Sequence, residues 1–264
     1  MIKVGISGAM GRMGMQLVRL VAADPDLQLA ATLEYDGHPA LGRDVGLEHG
    51  AGAAGVELSA QMPEDVEVLI DFSTPQGTGK HLGACVASNT AIVIGTTGIE
   101  DLIPKIEEAS GKIAVLTSPN MSVGVNMVFT AAAEIARKLG PDYDIEIVEA
   151  HHKFKKDAPS GTALKIAQKI AAATARSLEK HAVYGRRGKP IERTPGEIGI
   201  HALRGGDIVG EHTVVYAGLG ERVELKHIAQ SRETFARGAL RAAKFIHGKN
   251  PGLYAMADVL AQSK

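Results

Sequence analysis

The sequence predicts an α/β chain, with a mainly parallel-sheet domain followed by a second, α+β domain built on a mixed or antiparallel sheet. Two observations lead there. Over the first half, short apolar strand-like runs alternate with helical patterns, the grammar of βαβ units. After about Val123, successive strand patterns separated by short turns replace that alternation. A length of 264 residues is enough to bury a full core in one large or two small domains.

In the first half the strand candidates are residues 2–6, 27–33, 66–72, 91–94 and 113–116. Between the first two, residues 13–23 carry apolar side chains at helical spacing and stop before Asp24-Pro25. Residues 37–55 are rich in glycine and read as irregular structure. Three strands run into polar or glycine-rich loops: Ser73-Thr74-Pro75-Gln76-Gly77, Gly95-Thr96-Thr97-Gly98 and Thr117-Ser118-Pro119-Asn120-Met121-Ser122. In a doubly wound sheet such loops lie at the carboxyl edge, where ligands bind. In the second half a helix is expected over 127–139, a strand over 144–149 and a helix over 162–174. Strands over 199–203, 210–217 and 222–226 follow. Residues 234–247 read as a helix, which Gly248-Lys249-Asn250-Pro251-Gly252 breaks before a short final helix.

Composition excludes several classes. A formal net charge of −1 provides no global basic field for nucleic acid or an acidic membrane, so any basic site is local. Cys85 is the single cysteine, which rules out an internal disulfide and a multi-cysteine zinc site and fits a reducing cytoplasm. It reads as a small buried residue. Met1 leads straight into a strand pattern without a secretory apolar region, and no apolar run approaches a membrane span. The expectation is a cytoplasmic protein.

Two motifs carry chemistry. Val4-Gly5-Ile6-Ser7-Gly8-Ala9-Met10-Gly11-Arg12-Met13-Gly14 places glycines at 8, 11 and 14 directly after a strand and opening a helix. Glycine there permits a tight turn, close approach of a pyrophosphate to the backbone, and tight helix–strand packing. Glu34 ends the second strand, where an acid binds ribose hydroxyls. Strand, glycine turn, helix, strand and acid in register point to a Rossmann-like, dinucleotide-binding domain. A carboxylate at Glu34 favours NADH over the 2′-phosphate of NADPH. Arg12 offsets the repulsion in part, Tyr35 adds no second cation, and exclusion of NADPH does not follow.

The second motif is Glu149-Ala150-His151-His152-Lys153-Phe154-Lys155-Lys156-Asp157-Ala158-Pro159-Ser160-Gly161-Thr162. Adjacent histidines titrate near neutrality, lysines supply cations and protons, and Ser160-Gly161-Thr162 opens a helix with free N–H groups. Such a loop suits a small, multiply charged anion that must also receive a proton. Of the other histidines, His38, His49, His181 and His247 read as exposed or loop residues, and His201, His212 and His227 as structural ones on strands. No histidine spacing suggests zinc, and neither a G-x-S-x-G elbow nor a P-loop is present.

Together these motifs resemble the 4-hydroxy-tetrahydrodipicolinate (formerly dihydrodipicolinate) reductase family of lysine and diaminopimelate biosynthesis. Further matching stretches are Ile94-Gly95-Thr96-Thr97-Gly98, Pro119-Asn120-Met121-Ser122-Val123-Gly124-Val125-Asn126, Gly206-Asp207-Ile208-Val209-Gly210-Glu211-His212 and Ser231-Arg232…Thr234-Phe235-Ala236. The resemblance implies NAD(P)H-dependent reduction of a small cyclic dicarboxylate. It implies His151 as proton donor or acceptor, Lys155 as proton donor, and His152, Gly161 and Thr162 as substrate-binding. Gly8, Ala9, Met10, Gly11, Arg12, Met13, Glu34, Gly95, Thr96, Thr97, Ser118, Pro119, Asn120 and Met121 would line the cofactor, and no metal is implied. It also implies a homotetramer and three segments: 1–122 for the dinucleotide, 123–231 for substrate and oligomerisation, and 232–264 as helices returning to the first. Tyr35 and Thr74 stand where some members carry arginines, which weakens a strong NADPH preference. The alternatives are another two-domain amino-acid dehydrogenase, such as one acting on aspartate, and a non-catalytic NAD(H)-sensing protein.

Overall fold

The computed structural model describes residues 1–189 and 192–262. Pro190 and Ile191, within the expected second segment, and Ser263 and Lys264, at the end of the third, lie outside the described residues. The chain divides into two compact units, one of 1–123 with 232–264 and one of 124–231.

In the first unit the order is β1 (Ile2–Ser7), α1 (Arg12–Ala22), β2 (Leu27–Leu33), α2 (Val45–Glu48), β3 (Leu58–Ser59), β4 (Val68–Asp71), α3 (Pro75–Ser88), β5 (Ala91–Ile94), α4 (Ile103–Ser110) and β6 (Ala114–Thr117). The second unit continues with α5 (Val123–Leu139), β7 (Asp144–His151), α6 (Gly161–Ala173), α7 (Leu178–His181), β8 (Ala182–Tyr184), β9 (Ile198–Arg204), β10 (Gly210–Ala217) and β11 (Arg222–Ala229). The first is then completed by α8 (Glu233–Ile246), β12 (Gly252–Tyr254) and α9 (Met256–Ala261).

The first sheet has seven strands in the order β12-β6-β5-β4-β1-β2-β3, and all its pairings are parallel. Strand order reverses at β1 and β4, so their carboxyl ends flank the crevice in which doubly wound sheets bind ligands. A parallel sheet covered on both faces needs apolar side chains on both. Val68, Leu69 and Ile70 of β4 and Ile92, Val93 and Ile94 of β5 are all fully buried. Each such Leu or Ile contributes on the order of 2 kcal/mol. Helix α8 packs on α1 and on β4–β6. It also crosses the loop after β6 closely, since a Cβ on Gly238 would lie 1.8 Å from the Met121 carbonyl oxygen.

The second sheet has five strands in the order β11-β10-β7-β9-β8, antiparallel at β11·β10 and β10·β7 and parallel at β7·β9 and β9·β8. On β7, alternation sends Ile145, Ile147, Glu149 and His151 to the face that α5 and α6 cover. Two apolar residues and then two chemical ones share one row.

Several boundaries differ from expectation. Strand β7 runs through His151, so this histidine is fixed by sheet pairing with Arg204 rather than following the strand. Helix α5 starts at Val123 instead of residue 127. The glycine-rich 37–55 stretch contains α2, because Asp44 accepts from the backbone N–H groups of Gly46 and Leu47 and caps it. Strand β12 was unforeseen.

Candidate functional site

The first unit builds a cleft at the carboxyl ends of its strands. Gly8 adopts φ 71°, a left-handed conformation open to glycine, and turns the chain out of β1. Its N–H donates to the Leu33 carbonyl oxygen at 3.0 Å, which ties the loop to β2. A Cβ on Gly14 would meet the carbonyl oxygens of Gly8 at 2.2 Å and Ala9 at 2.4 Å, so α1 lies directly against the loop. At its start Gly11 offers no side-chain cap, which leaves the first-turn amides for an anion. Glu34 follows β2, and its Oε1 accepts from the Met10 backbone N–H at 2.8 Å.

A cavity of about 460 Å³ opens beside this loop. Gly11, Arg12 and Met13 line one side. Gly95, Thr96 and Thr97 after β5, and Pro119, Asn120 and Met121 after β6, line the rest. Ser118 shapes the last loop from within, its Oγ donating to the Asn120 carbonyl oxygen at 2.8 Å. Gly8, Ala9, Met10 and Glu34 frame the glycine turn next to the cavity. Phe72, Ser73, Arg232 and Phe235 also line it and had no place in the glycine-loop pattern. Arg232 and Arg12 bring two cations to the same cavity. A larger cavity of about 640 Å³ lies at the amino ends of the strands, where Lys3 pairs with Asp65 and His247 with Glu67.

Beneath the cleft lies a polar cluster that the sequence reading missed. Asp71 is fully buried at the end of β4. It accepts from Ser73 Oγ at 2.6 Å and Thr78 Oγ1 at 2.5 Å, and faces His81 Nδ1 at 3.4 Å. Burial opposes its ionisation, yet His81 and the hydroxyls hold the carboxyl below its usual range. Thr96 Oγ1 accepts from the Ser73 N–H at 3.1 Å, so the cluster ties the loop after β4 to the loop after β5.

The second unit holds the His-His-Lys segment. His151 is 9% exposed, and its Nδ1 lies 2.6 Å from Glu149 Oε2. Burial lowers its proton affinity, with Lys155 and Arg204 acting in the same direction and Glu149 against them. Lys155 Nζ is 2.9 Å from Asp157 Oδ1. Ser160 caps α6 by accepting from the Ala163 N–H, which presents Gly161 and Thr162 in the first turn. His152 follows β7 on the same loop, half-buried, whereas Lys153 and Lys156 are exposed. Arg204-Gly205-Gly206 braces the segment: the Gly205 N–H donates to the His151 carbonyl oxygen and the Lys153 N–H to that of Gly206.

One histidine reading needs extension. His212 is structural, but it also forms one wall of the His151 environment, with ring centroids 5.2 Å apart and Ser160 Oγ 3.1 Å from its Nε2. Burial drives its pKa down to about 3, so it stays neutral. Its strand pattern gave no local sign of that proximity. Register creates it, by setting His212 opposite Glu149. Among the described residues, no group of His, Cys, Asp and Glu is arranged to hold a metal ion.

Comparison with known proteins agrees with this arrangement. Residues 2–121 match the family model described as dihydrodipicolinate reductase, N-terminus, and residues 124–260 match the model for its C-terminus. A 4-hydroxy-tetrahydrodipicolinate reductase of Rubrobacter xylanophilus is 50% identical over 264 residues, covering 100% of both chains. One from Anaeromyxobacter dehalogenans (strain 2CP-C) is 50% identical, covering 98% of each. Among solved structures, the dipicolinate-bound dihydrodipicolinate reductase of Paenisporosarcina sp. TG-14 superposes with a TM-score of 0.76 at 25% identity, covering 97% of each chain. An amine dehydrogenase of Mycobacterium smegmatis, at 12% identity and a TM-score of 0.60, shares the fold. Matched in both halves and along its whole length, the chain belongs to the dihydrodipicolinate reductase family.

Proposed function

We propose that this oxidoreductase converts 4-hydroxy-tetrahydrodipicolinate to tetrahydrodipicolinate with a reduced pyridine nucleotide. The observation that carries the reading is the full-length match to reductases of that name, joined to a buried His–Glu pair beside a capped helix start. The net change replaces a ring hydroxyl with hydrogen, so a hydride enters and the hydroxyl leaves as water after gaining a proton. The bound nucleotide supplies the hydride. Gly8–Met13, Glu34, Gly95–Thr97 and Ser118–Met121 bind it, with the amides of α1 and Arg12 on the pyrophosphate.

The remaining work falls to the 149–162 segment. Gly161 and Thr162 at the start of α6, together with His152, hold the substrate's carboxylates. His151 Nε2 and Lys155 Nζ are the two groups that carry the proton. A bound dianion raises the proton affinity of His151, opposing the effect of burial. The aspartate-dehydrogenase and NAD(H)-sensor alternatives supply no reason for this segment.

No helix among the described residues is long and apolar enough to cross a membrane. A cytoplasmic location fits a biosynthetic enzyme with one cysteine, buried and with a raised thiol pKa. Association into a homotetramer is supported by the face of the second sheet that α5 and α6 leave uncovered. Leu203 and Ile228 are 56% and 49% exposed on that face.

The test is nucleotide oxidation, followed by absorbance, with enzymatically generated 4-hydroxy-tetrahydrodipicolinate beside aspartate and oxaloacetate controls. Turnover is expected with the first alone, and absence of turnover there refutes the reading. NADH is expected to serve well. In the same assay Glu34→Ala should raise KM for NADH by about tenfold, the scale of one lost charged hydrogen-bond partner, with a smaller loss for NADPH. An equal loss for both would show that Glu34 does not read the ribose.

A further inference from the structure

Glu149 is fully buried on β7, two residues before His151 and on the same face of the sheet. Four donors surround its carboxylate. Oε2 accepts from Arg204 Nη1 at 2.8 Å and lies 2.6 Å from His151 Nδ1. Oε1 accepts from Arg204 Nη2 at 2.8 Å and from the Ser160 N–H at 2.9 Å. The Arg204 fork is therefore bidentate, the geometry in which guanidinium and carboxylate pair best. Its Nη2 also donates to the Asp157 carbonyl oxygen at 2.6 Å, which ties the pair to the loop carrying Lys155. At the opposite edge of the His151 ring Gly210 comes close to Nε2, where a Cβ would lie 3.0 Å away, so the absence of a side chain leaves room beside that nitrogen.

These contacts constrain where the histidine keeps its protons. An ionised carboxylate only accepts, so the Nδ1 facing it must be the donor in both states of the ring. Exchange is left to Nε2. A lone buried carboxylate would stabilise the imidazolium so strongly that the ring gave up its proton reluctantly. A guanidinium on the same carboxylate offsets that attraction.

We propose that Glu149 and Arg204 are a positioning pair for His151, Glu149 confining proton exchange to Nε2 and Arg204 offsetting Glu149's charge so that the imidazolium remains an effective acid. The proposal deepens the reading of His151 as a proton carrier and rests on it. Neither Glu149 nor Arg204 needs to touch substrate for this role.

The groups facing His151 are Glu149 on its own strand, Lys155 from the loop, Arg204 from β9 and His212 from β10; Asp157 acts on Lys155 and Arg204, Ser160 on Glu149 and His212, and His227 lies beside His212 on β11. Buried and neutral, His212 adds no charge change in the working range. Lys155 opposes protonation as Arg204 does, and it is common to every variant below, so differences among variants report on the pair.

The experiment is two-bond ¹H–¹⁵N correlation of the histidine rings in the full chain, titrated with pH and assigned by His151→Gln. In the wild type the neutral His151 ring should carry its proton on Nδ1. Arg204→Met should raise the pKa of His151 by about one pH unit and Glu149→Gln should lower it by about as much, the scale of a single neighbouring charge. Arg204→Lys should return it most of the way to wild type. The alkaline limb of kcat/KM should move in the same opposite directions, a pattern that loss of packing alone does not produce. A neutral ring protonated on Nε2 in the wild type overturns the proposal without any variant having to fold. Shifts of like sign in the two variants, or none, also overturn it. Ring shifts as expected with an unmoved kinetic limb would remove His151 as the proton carrier, which refutes the functional reading instead.

Discussion

Replacing His151 with alanine is expected to lower kcat by about two orders of magnitude or more, the usual scale for a general acid, with nucleotide affinity near wild type. The split follows from location: His151 belongs to the second unit's sheet, whereas the glycine loop and Glu34 belong to the first. Folding should survive, because Glu149 keeps both Arg204 nitrogens and the Ser160 N–H when the imidazole is removed. Lys155→Ala should show a loss of similar size. Its ion pair with Asp157, which is 58% exposed, is a near-surface contact worth little to stability, so a lower kcat without a lower melting temperature is expected. Steady-state kinetics with nucleotide binding measured in parallel decides both cases. Wild-type turnover in either variant removes that residue from the mechanism.

Gly14→Val is expected to abolish nucleotide binding and to destabilise the chain by about 3 kcal/mol or more, at the upper end of overpacking penalties. Even the first added carbon would lie 2.2 Å from the Gly8 carbonyl oxygen and 2.4 Å from that of Ala9. Those neighbours are backbone and have no rotamer to escape into. Either α1 lifts from the sheet or the glycine loop opens. Gly83→Ala is the matched control: it lies on the exposed side of α3 with nothing within 4 Å, and a better helix former there should leave stability equal or up to about 1 kcal/mol higher. Chemical denaturation and nucleotide titration of the two variants test the contrast. Wild-type nucleotide affinity in Gly14→Val would mean the glycine serves no close approach.

Much of this was legible in the sequence because local pattern and tertiary role coincide. Strands β2 and β5 fall on the expected residues, since short runs that are wholly apolar (β5) or apolar but for Gln28 and Thr32 (β2), bounded by turn residues, have few other places to go. The glycine loop was legible because its spacing records a backbone requirement. Strand β12 was not: three residues after a proline-glycine break become a strand only by pairing with β6, far earlier in the chain. The same holds for the chemistry. The residues of the His-His-Lys segment announce themselves together, whereas Arg204 and His212 reach Glu149 and His151 through the register of three strands. His81 joins Asp71 only once α3 folds back over β4. A single sequence records neighbours along the chain, and pairing across a sheet leaves little local trace.

The most direct test is isotopic. Turnover of 4-hydroxy-tetrahydrodipicolinate with nicotinamide nucleotide deuterated at the hydride position, followed by mass spectrometry and NMR of the product, traces the transferred atom. The expected product is tetrahydrodipicolinate with one deuterium on the carbon that bore the hydroxyl, and none lost to water. Unlabelled product, or oxidised nucleotide without that product, would contradict direct reduction of this substrate by the chain.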